Sequence, residues 1–218
     1  MERVDGPEML CGQALYGPDV RLPGMLWGKI LRSPVPHAKI LRVDLEKAKK
    51  HPGVRAVICA QDVPARLYGY AIEDEHIFAI DTVHYVGQPV AAVAAVDEDT
   101  AEEALGLIEV DYELLAFVLD HEEAMKPDAP KIWPEGNLSL NNRDEAQPIA
   151  QRRGDVESGF RGADHVFEDR FSTAFVHNAQ MEPRAAVAVW AGDKVTVYTP
   201  TGGIANCRTD MARDLGIP

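Results

Sequence analysis

The chain has 218 residues, 46% hydrophobic and 26% charged, and carries a formal net charge of −13 at pH 7. A chain of this length can bury a core without disulfide staples, and its acidity argues against nucleic acid and anionic membranes as partners, since both recruit basic surfaces. Cys11, Cys59 and Cys207 stand far apart with no C-x-x-C pair, which argues against a zinc ribbon or iron–sulfur cluster in this chain and fits a reducing compartment. The opening Met-Glu-Arg-Val-Asp has no basic-then-apolar pattern, and no apolar run approaches the roughly 20 residues that cross a bilayer. The expected location is therefore the cytoplasm.

In chain order, Gly24–Leu31 reads as a strand, followed by a loop at Ser33-Pro34-Val35-Pro36. Ala38–Val43 reads as the next strand, with Ile40 and Arg42 on one phase and Leu41 and Val43 on the other. Asp44 is placed to cap a short helix over Leu45–Lys50, which Pro52-Gly53 ends. Val54–Cys59 is a buried strand candidate, and 61–82 reads as an irregular excursion. Val86–Val96 is the most apolar run, and its valine content predicts a strand buried on both faces, with Pro89 at its start or at a bulge. Thr100 and Glu103 have capping-box spacing, ahead of an apolar helix face of Ala101, Ala104, Leu105 and Ile108. Val110–Tyr112 reads as a further strand.

Residues 120–158 are rich in Pro and Asn with little apolar periodicity, and read as a connector. Beyond them the pattern changes. Phe167, Phe171 and Phe175 share one phase of an alternating segment and suit one face of a sheet. Ala185–Trp190, the turn Ala191-Gly192-Asp193 and Lys194–Thr199 predict a β-hairpin. Ile204, Cys207, Met211 and Leu215 have helical spacing, with Gly216 as the stop.

The residues alone single out no catalytic or metal-binding set. Seven histidines include no H-x-x-x-H pair, so structural or surface roles are expected for them. The acidic runs at Glu73-Asp74-Glu75, Asp97-Glu98-Asp99 and Glu122-Glu123 read as solvated faces or helix starts. Gly202-Gly203 is the one glycine-rich junction between a strand and a helix, without a dinucleotide or P-loop pattern. It reads as a tight turn whose bare backbone amides can also cradle a phosphate.

Arg3-Val4-Asp5, Gly12–Tyr16 with Asp19, Gly24–Ser33 with His37-Ala38, Gly53-Val54 with Val57, Tyr85–Val90, Ala101 with Ala104, and Val110–Glu113 follow one another in order. After the connector come Gly154-Asp155-Val156 with Phe160, Ala163-Asp164, Met181–Ala188 and Val197–Thr201. This ordered set covers nearly the whole chain and resembles the start of the molybdenum-binding subunit of the xanthine dehydrogenase and aldehyde oxidase family. The resemblance implies an α+β chain: an α/β hammerhead domain over 1–120, an extended connector over 121–158, and over 159–218 the start of a molybdenum-cofactor-binding domain that is incomplete here.

The implied activity is oxidative hydroxylation of a heterocycle or aldehyde at a molybdenum held by the dithiolene of a molybdopterin. A glutamate acts there as general base, and electrons leave through iron–sulfur clusters and usually a flavin. Thr201, Gly202 and Gly203 are the implied cofactor-binding residues. The implied partners are the remaining molybdopterin-binding half, an iron–sulfur subunit and a flavin subunit. No cofactor is expected on this chain alone, which should not turn over by itself, and a homodimer is one way to cover the apolar stripe of the last helix.

The chain departs from the family pattern at two positions. Gly202 follows Pro200-Thr201 where many relatives have Gln, and Asn178 stands where relatives often have His. A non-catalytic scaffold derived from the same fold is the alternative reading.

Overall fold

The computed structural model describes residues 6–69, 73–133, 136–138, 151 and 153–217. The helices are α1 (Gly6–Leu10), α2 (Glu46–Lys49), α3 (Glu98–Leu105), α4 (His121–Ala124), α5 (Val156–Gly162) and α6 (Ile204–Leu215). The strands are β1 (Trp27–Arg32), β2 (Ala38–Asp44), β3 (Val54–Cys59), β4 (Thr82–Val83), β5 (Pro89–Ala95), β6 (Glu109–Leu114), β7 (Val187–Ala191) and β8 (Lys194–Tyr198). They belong to two compact units, one of Leu22–Pro148 with Gly203–Pro218 and a smaller one of Met1–Arg21 with Ile149–Gly202.

The larger unit is built on β5. It is the middle strand of an antiparallel sheet of order β1-β5-β3. Alternation along β5 puts Ala91, Val93 and Ala95 on one face, and these are 0–2% exposed. Ala91 and Val93 lie in one core with Ala48 of α2, Ala104 of α3, Val57 and Cys59 of β3, and Leu45 and Ile108. The other face is only half covered at Ala92 and Ala94, which corrects the expected burial on both faces. The sheet is antiparallel, and such sheets can leave one face partly open to water. Pro89 stands at the strand's first residue, where no ladder donor is lost.

A second antiparallel sheet, of order β4-β2-β6, covers a smaller core of Ala38, Ala79, Val83 and Val90. The expected phase of β2 does not hold along its length. A bulge between Ile40 and Arg42 leaves Leu41 63% exposed and brings Ile40 and Val43 together onto this core. One extra residue in one strand reverses the side-chain phase beyond it. On the outside, Arg42 meets Asp111 at 3.1 Å and Asp44 at 3.0 Å, and Lys39 meets Glu113 at 3.5 Å. These exposed pairs contribute little to stability.

Helix α3 is capped by a residue other than the expected one. Asp97 Oδ1 accepts from the Thr100 amide at 2.8 Å, so Thr100 lies inside the helix as its third residue and the expected box of Thr100 with Glu103 does not form. A carboxylate at this position satisfies an orphan donor and also faces the positive end of the helix dipole. Asp44 Oδ1 accepts from the Glu46 amide at 3.0 Å just before α2, and Gly53, at φ +87°, makes the turn into β3.

The described first part of the expected connector is structured, contrary to the reading of 120–158 as a segment without strong structure. Asp120 caps α4 by accepting from the Glu122 and Glu123 amides at 2.9 Å. Asn137 donates to the Ala124 and Pro130 carbonyls at 3.0 and 2.9 Å and accepts from the Ile132 amide at 2.9 Å. Trp133 stacks on His84, which in turn stacks on His37. Residues 139–150 lie outside the described residues.

In the smaller unit the hairpin forms as expected, with a two-residue turn. Ala191 pairs with Lys194, and Gly192 takes φ +66° between them. Gly17 fits where a Cβ would lie 2.8 Å from the Ala185 carbonyl oxygen. The phenylalanine face is not part of any sheet. Phe167, Phe171 and Phe175 lie between α5 and β7, in a stretch with no strand, and are 87%, 90% and 97% exposed. Alternation specifies a face only once a neighbouring strand supplies the ladder.

Two outcomes follow from this packing. Val93→Ala removes about two methylenes from a closed site and should cost about 2 kcal/mol in denaturant unfolding, whereas Phe175→Ala should stay within about 0.5 kcal/mol of the parent. Equal losses would refute the assignment of the core to β5. The Thr100 side chain and amide hold the Asp97 carboxyl below its usual range. Its stabilising effect is therefore present above the unfolded value near 3.8 and is lost as pH falls through the lower folded value. Asp97→Ala should lower the thermal midpoint at pH 7, and the gap should narrow below pH 3.8.

Candidate functional site

The candidate site is a recess of about 530 Å³ in the smaller unit, lined by Asn178, Gln180, Glu182, Arg184, Pro200, Thr201 and Gly202. Its volume lies within the roughly 300–1,000 Å³ of small-molecule sites. Two segments build it. One is the approach to β7, and the other is the chain leaving β8 through Thr199-Pro200-Thr201.

The first segment alternates: Asn178, Gln180, Glu182 and Arg184 line the recess, and Met181 between them is 99% exposed. At its start Ala179 has φ +45°, a left-handed conformation that is strained for a residue with a Cβ. His177 Nδ1 accepts from the Ala179 amide at 2.9 Å and holds that turn. With its amide oriented by the hydrogen-bond network, Gln180 accepts from Arg184 Nε and Nη2 at 2.5 and 2.6 Å. That bond fixes the guanidinium plane on the recess wall, where it can pair with an anionic or carbonyl oxygen.

Thr201 and Gly202 stand on the recess wall. A Cβ at Gly202 would meet nothing within 4 Å, so sterics do not demand glycine there, and the wall is bare backbone at that point. Gly203 is not among the lining residues. It is the N-cap of α6 in the larger unit, at φ −144° and ψ 79°, with no side-chain cap. The first intrahelical bond of α6 runs from the Cys207 amide to the Gly203 carbonyl at 3.0 Å, so the amides of the first turn have no acceptor within the helix. The far end of α6 is fixed by Gly216 at φ +67°, by Arg66 donating to the Arg213 carbonyl, and by Arg213 pairing with Glu73 at 2.6 Å. Its expected stripe is partly open: Ile204 is 79% and Leu215 49% exposed, and Cys207 and Met211 are half-buried.

Of the three residues expected from the sequence, the structure brings Thr201 and Gly202 to one recess and puts Gly203 at a helix start. Reading for motifs missed the four polar residues opposite. Their signal was present as a polar side chain at every second position from 178 to 184, interrupted only by Ala, Met and Pro. Among the described residues, no three His, Cys, Asp or Glu side chains converge on a metal position, and Cys11, Cys59 and Cys207 are free thiols.

Comparison with known proteins places both parts of the chain. Residues 11–116 match the a/b hammerhead domain of aldehyde oxidase and xanthine dehydrogenase, and residues 140–218 match the molybdopterin cofactor-binding domain. The chain is 38% identical to a probable xanthine dehydrogenase subunit of Bacillus subtilis, over 99% of this chain and 28% of that protein. It is 33% identical to the nicotinate dehydrogenase large molybdopterin subunit of Eubacterium barkeri, over 99% of this chain and 50% of that one. It superposes on a solved Cu,Mo-CO dehydrogenase in its carbon monoxide reduced state with a TM-score of 0.84 and 32% identity, covering 100% of this chain and 29% of that chain. The chain thus spans between about a quarter and a half of the length of these relatives. Among the described residues no helix is long and apolar enough to cross a membrane. With a hammerhead domain followed by the cofactor-binding domain, both matched in sequence and in fold, the chain belongs to the molybdopterin-binding subunits of the xanthine dehydrogenase and aldehyde oxidase family.

Proposed function

We propose that the chain contributes the hammerhead domain and the opening part of the cofactor-binding domain to a cytoplasmic molybdenum hydroxylase that acts on a heterocycle or aldehyde. The domains are taken as 1–120, 121–158 and 159–218. The observation that carries this reading is the polar recess, whose walls at 178–184 and 200–202 fall within the region matching the molybdopterin cofactor-binding domain.

The residues present fit such a group. Molybdopterin offers a flat hydrogen-bonding ring system and an anionic phosphate, and the recess offers two side-chain amides, a guanidinium and bare backbone. When bound, the cofactor supplies the metal centre at which oxidative hydroxylation occurs. Arg184, steadied by Gln180, binds and orients an oxygen of the cofactor. Thr201 and Gly202 let its edge approach the backbone closely, and Gly203, which the family resemblance also implies, opens α6 in the larger unit. Glu182 stands on the same wall as an acceptor for ring N–H groups. Turnover would draw on the remaining molybdopterin-binding half, an iron–sulfur subunit and a flavin subunit.

Purification from the native source should yield a complex with about one molybdenum per copy of this chain, together with iron, and the isolated chain should hold none in stoichiometric amount. A complex without molybdenum would favour the non-catalytic scaffold. In the complex, Arg184→Ala should weaken cofactor retention roughly tenfold, or about 1.4 kcal/mol, measured as molybdenum lost on dialysis. Unchanged retention would remove Arg184 from the site.

A further inference from the structure

The start of β2 carries a column of rings. Ala38 pairs with Val83 of β4 and with Leu114 of β6, so the next register position sets His37 opposite both His84 and Leu115. The His37 and His84 rings stack with centroids 5.9 Å apart and planes at 27°, and Trp133 stacks on His84 at 5.1 Å and 29°. The column meets the chain leaving β6 at two places. Near β6, the Leu115 amide donates to the His37 carbonyl at 3.0 Å, and His37 Nδ1 donates to the Ala116 carbonyl at 2.7 Å. Further on, Trp133 rests on His84, whose own amide donates to the buried Gln88 Oε1 at 2.7 Å. None of the described residues from 115 to 138 is fully buried. Asn137 folds this stretch on itself, but the stretch has no apolar core of its own to hold it down.

We infer that the column is an acid-sensitive latch: with His84 neutral it pins residues 116–133 to the second sheet, and protonation of His84 opens it. Residues 140–218 match the cofactor-binding domain, so opening the latch loosens the chain that leads into that domain. The reading does not depend on the hydroxylase activity. A neutral imidazole is easily held against two rings, whereas an imidazolium there gives up hydration and faces a second imidazole. Attraction to the Trp133 face opposes this. Half-burial first, and His37 second, hold the His84 imidazole below its usual value near 6.5, so the neutral form is favoured in the column. Full strength is therefore present above that value and is lost as pH falls through the lower folded value. The other ionisable groups of the surrounding elements are engaged. On β2 and β6, Lys39 meets Glu113 at 3.5 Å and Arg42 meets Asp111 at 3.1 Å. Beside His84, the Tyr85 hydroxyl donates to Glu75 at 3.4 Å. In the pinned stretch, Asp120 caps α4, and the Glu123 and Glu122 amides hold its carboxyl below the usual range, so that cap stays charged while His84 titrates. His121 beside it is exposed.

The test takes the full chain from about pH 8 to about pH 5, the range in which histidine changes charge. After correction for the intrinsic pH dependence of exchange, the amides of Glu122–Lys126 should exchange about threefold faster or more at the acid end, with no change at Val90–Ala95. With Trp27 and Trp190 replaced by Phe, Trp133 emission should shift to the red in the same step. Ring NMR of the unmodified chain should place the His84 midpoint on that step. His84→Phe keeps a ring without a proton and should abolish the step, and His121→Gln should leave it in place. A step that follows His121, an unchanged step in His84→Phe, or a His84 midpoint away from the step would each overturn the inference. So would slower exchange in acid, which would make the attraction between the imidazolium and Trp133 dominant and the column a latch that tightens.

Discussion

The larger unit depends on the close contact between one face of β5 and the helices that cover it. Ala91 and Val93 share one buried core with Ala48 and Ala104, and all of these except Val93 carry no side-chain atom beyond Cβ. Small residues on both sides let the helix backbones sit near the sheet, so the contact tolerates little enlargement. With that seam closed, β1 and β3 flank β5, the second sheet takes the smaller core, and Lys29 of β1 reaches Glu98 of α3 at 2.8 Å. The surface ion pairs decorate this arrangement and do not create it.

The smaller unit follows a different logic. It holds the polar recess, and its hairpin half-buries Val187, Val195 and Val197, while Phe167, Phe171 and Phe175 stay nearly fully exposed. Burial of apolar surface is the main source of folding free energy, and this unit buries little of it, so its backbone is set by the hairpin ladder and by the close seat of Gly17 against Ala185.

What could be read from the residues was governed by how local the determining interaction is. The hairpin at 187–198, the α6 helix with its Gly216 stop and the β5 run were legible because turn chemistry and periodicity act within a few residues. The cap of α3 was misread by three positions, because Thr100 and Asp97 both carry capping oxygens and only the backbone decides between them. The phase of β2 failed at Leu41, since a bulge is fixed by the partner strand and not by the strand that bulges. The phenylalanine phase was legible but the expected sheet does not form among the described residues, because alternation alone supplies no ladder. Family kinship was legible from the ordered motifs. Of the site, Thr201 and Gly202 were found through that kinship, whereas Asn178, Gln180, Glu182 and Arg184 needed the fold to show which side of an alternating segment faces inward.

The seat of Gly17 against the Ala185 carbonyl bears on how the protein is made. The two residues lie far apart in sequence, and only a glycine leaves room for that approach. During synthesis the residues around Gly17 emerge before residue 185 and must wait for it, roughly 10–30 s at ordinary elongation rates. Meanwhile the intervening hammerhead residues can close their own core through contacts nearer in sequence. The segment around Gly17 is therefore a late-docking arm, exposed to chaperones and proteases while the residues that follow it are already folded.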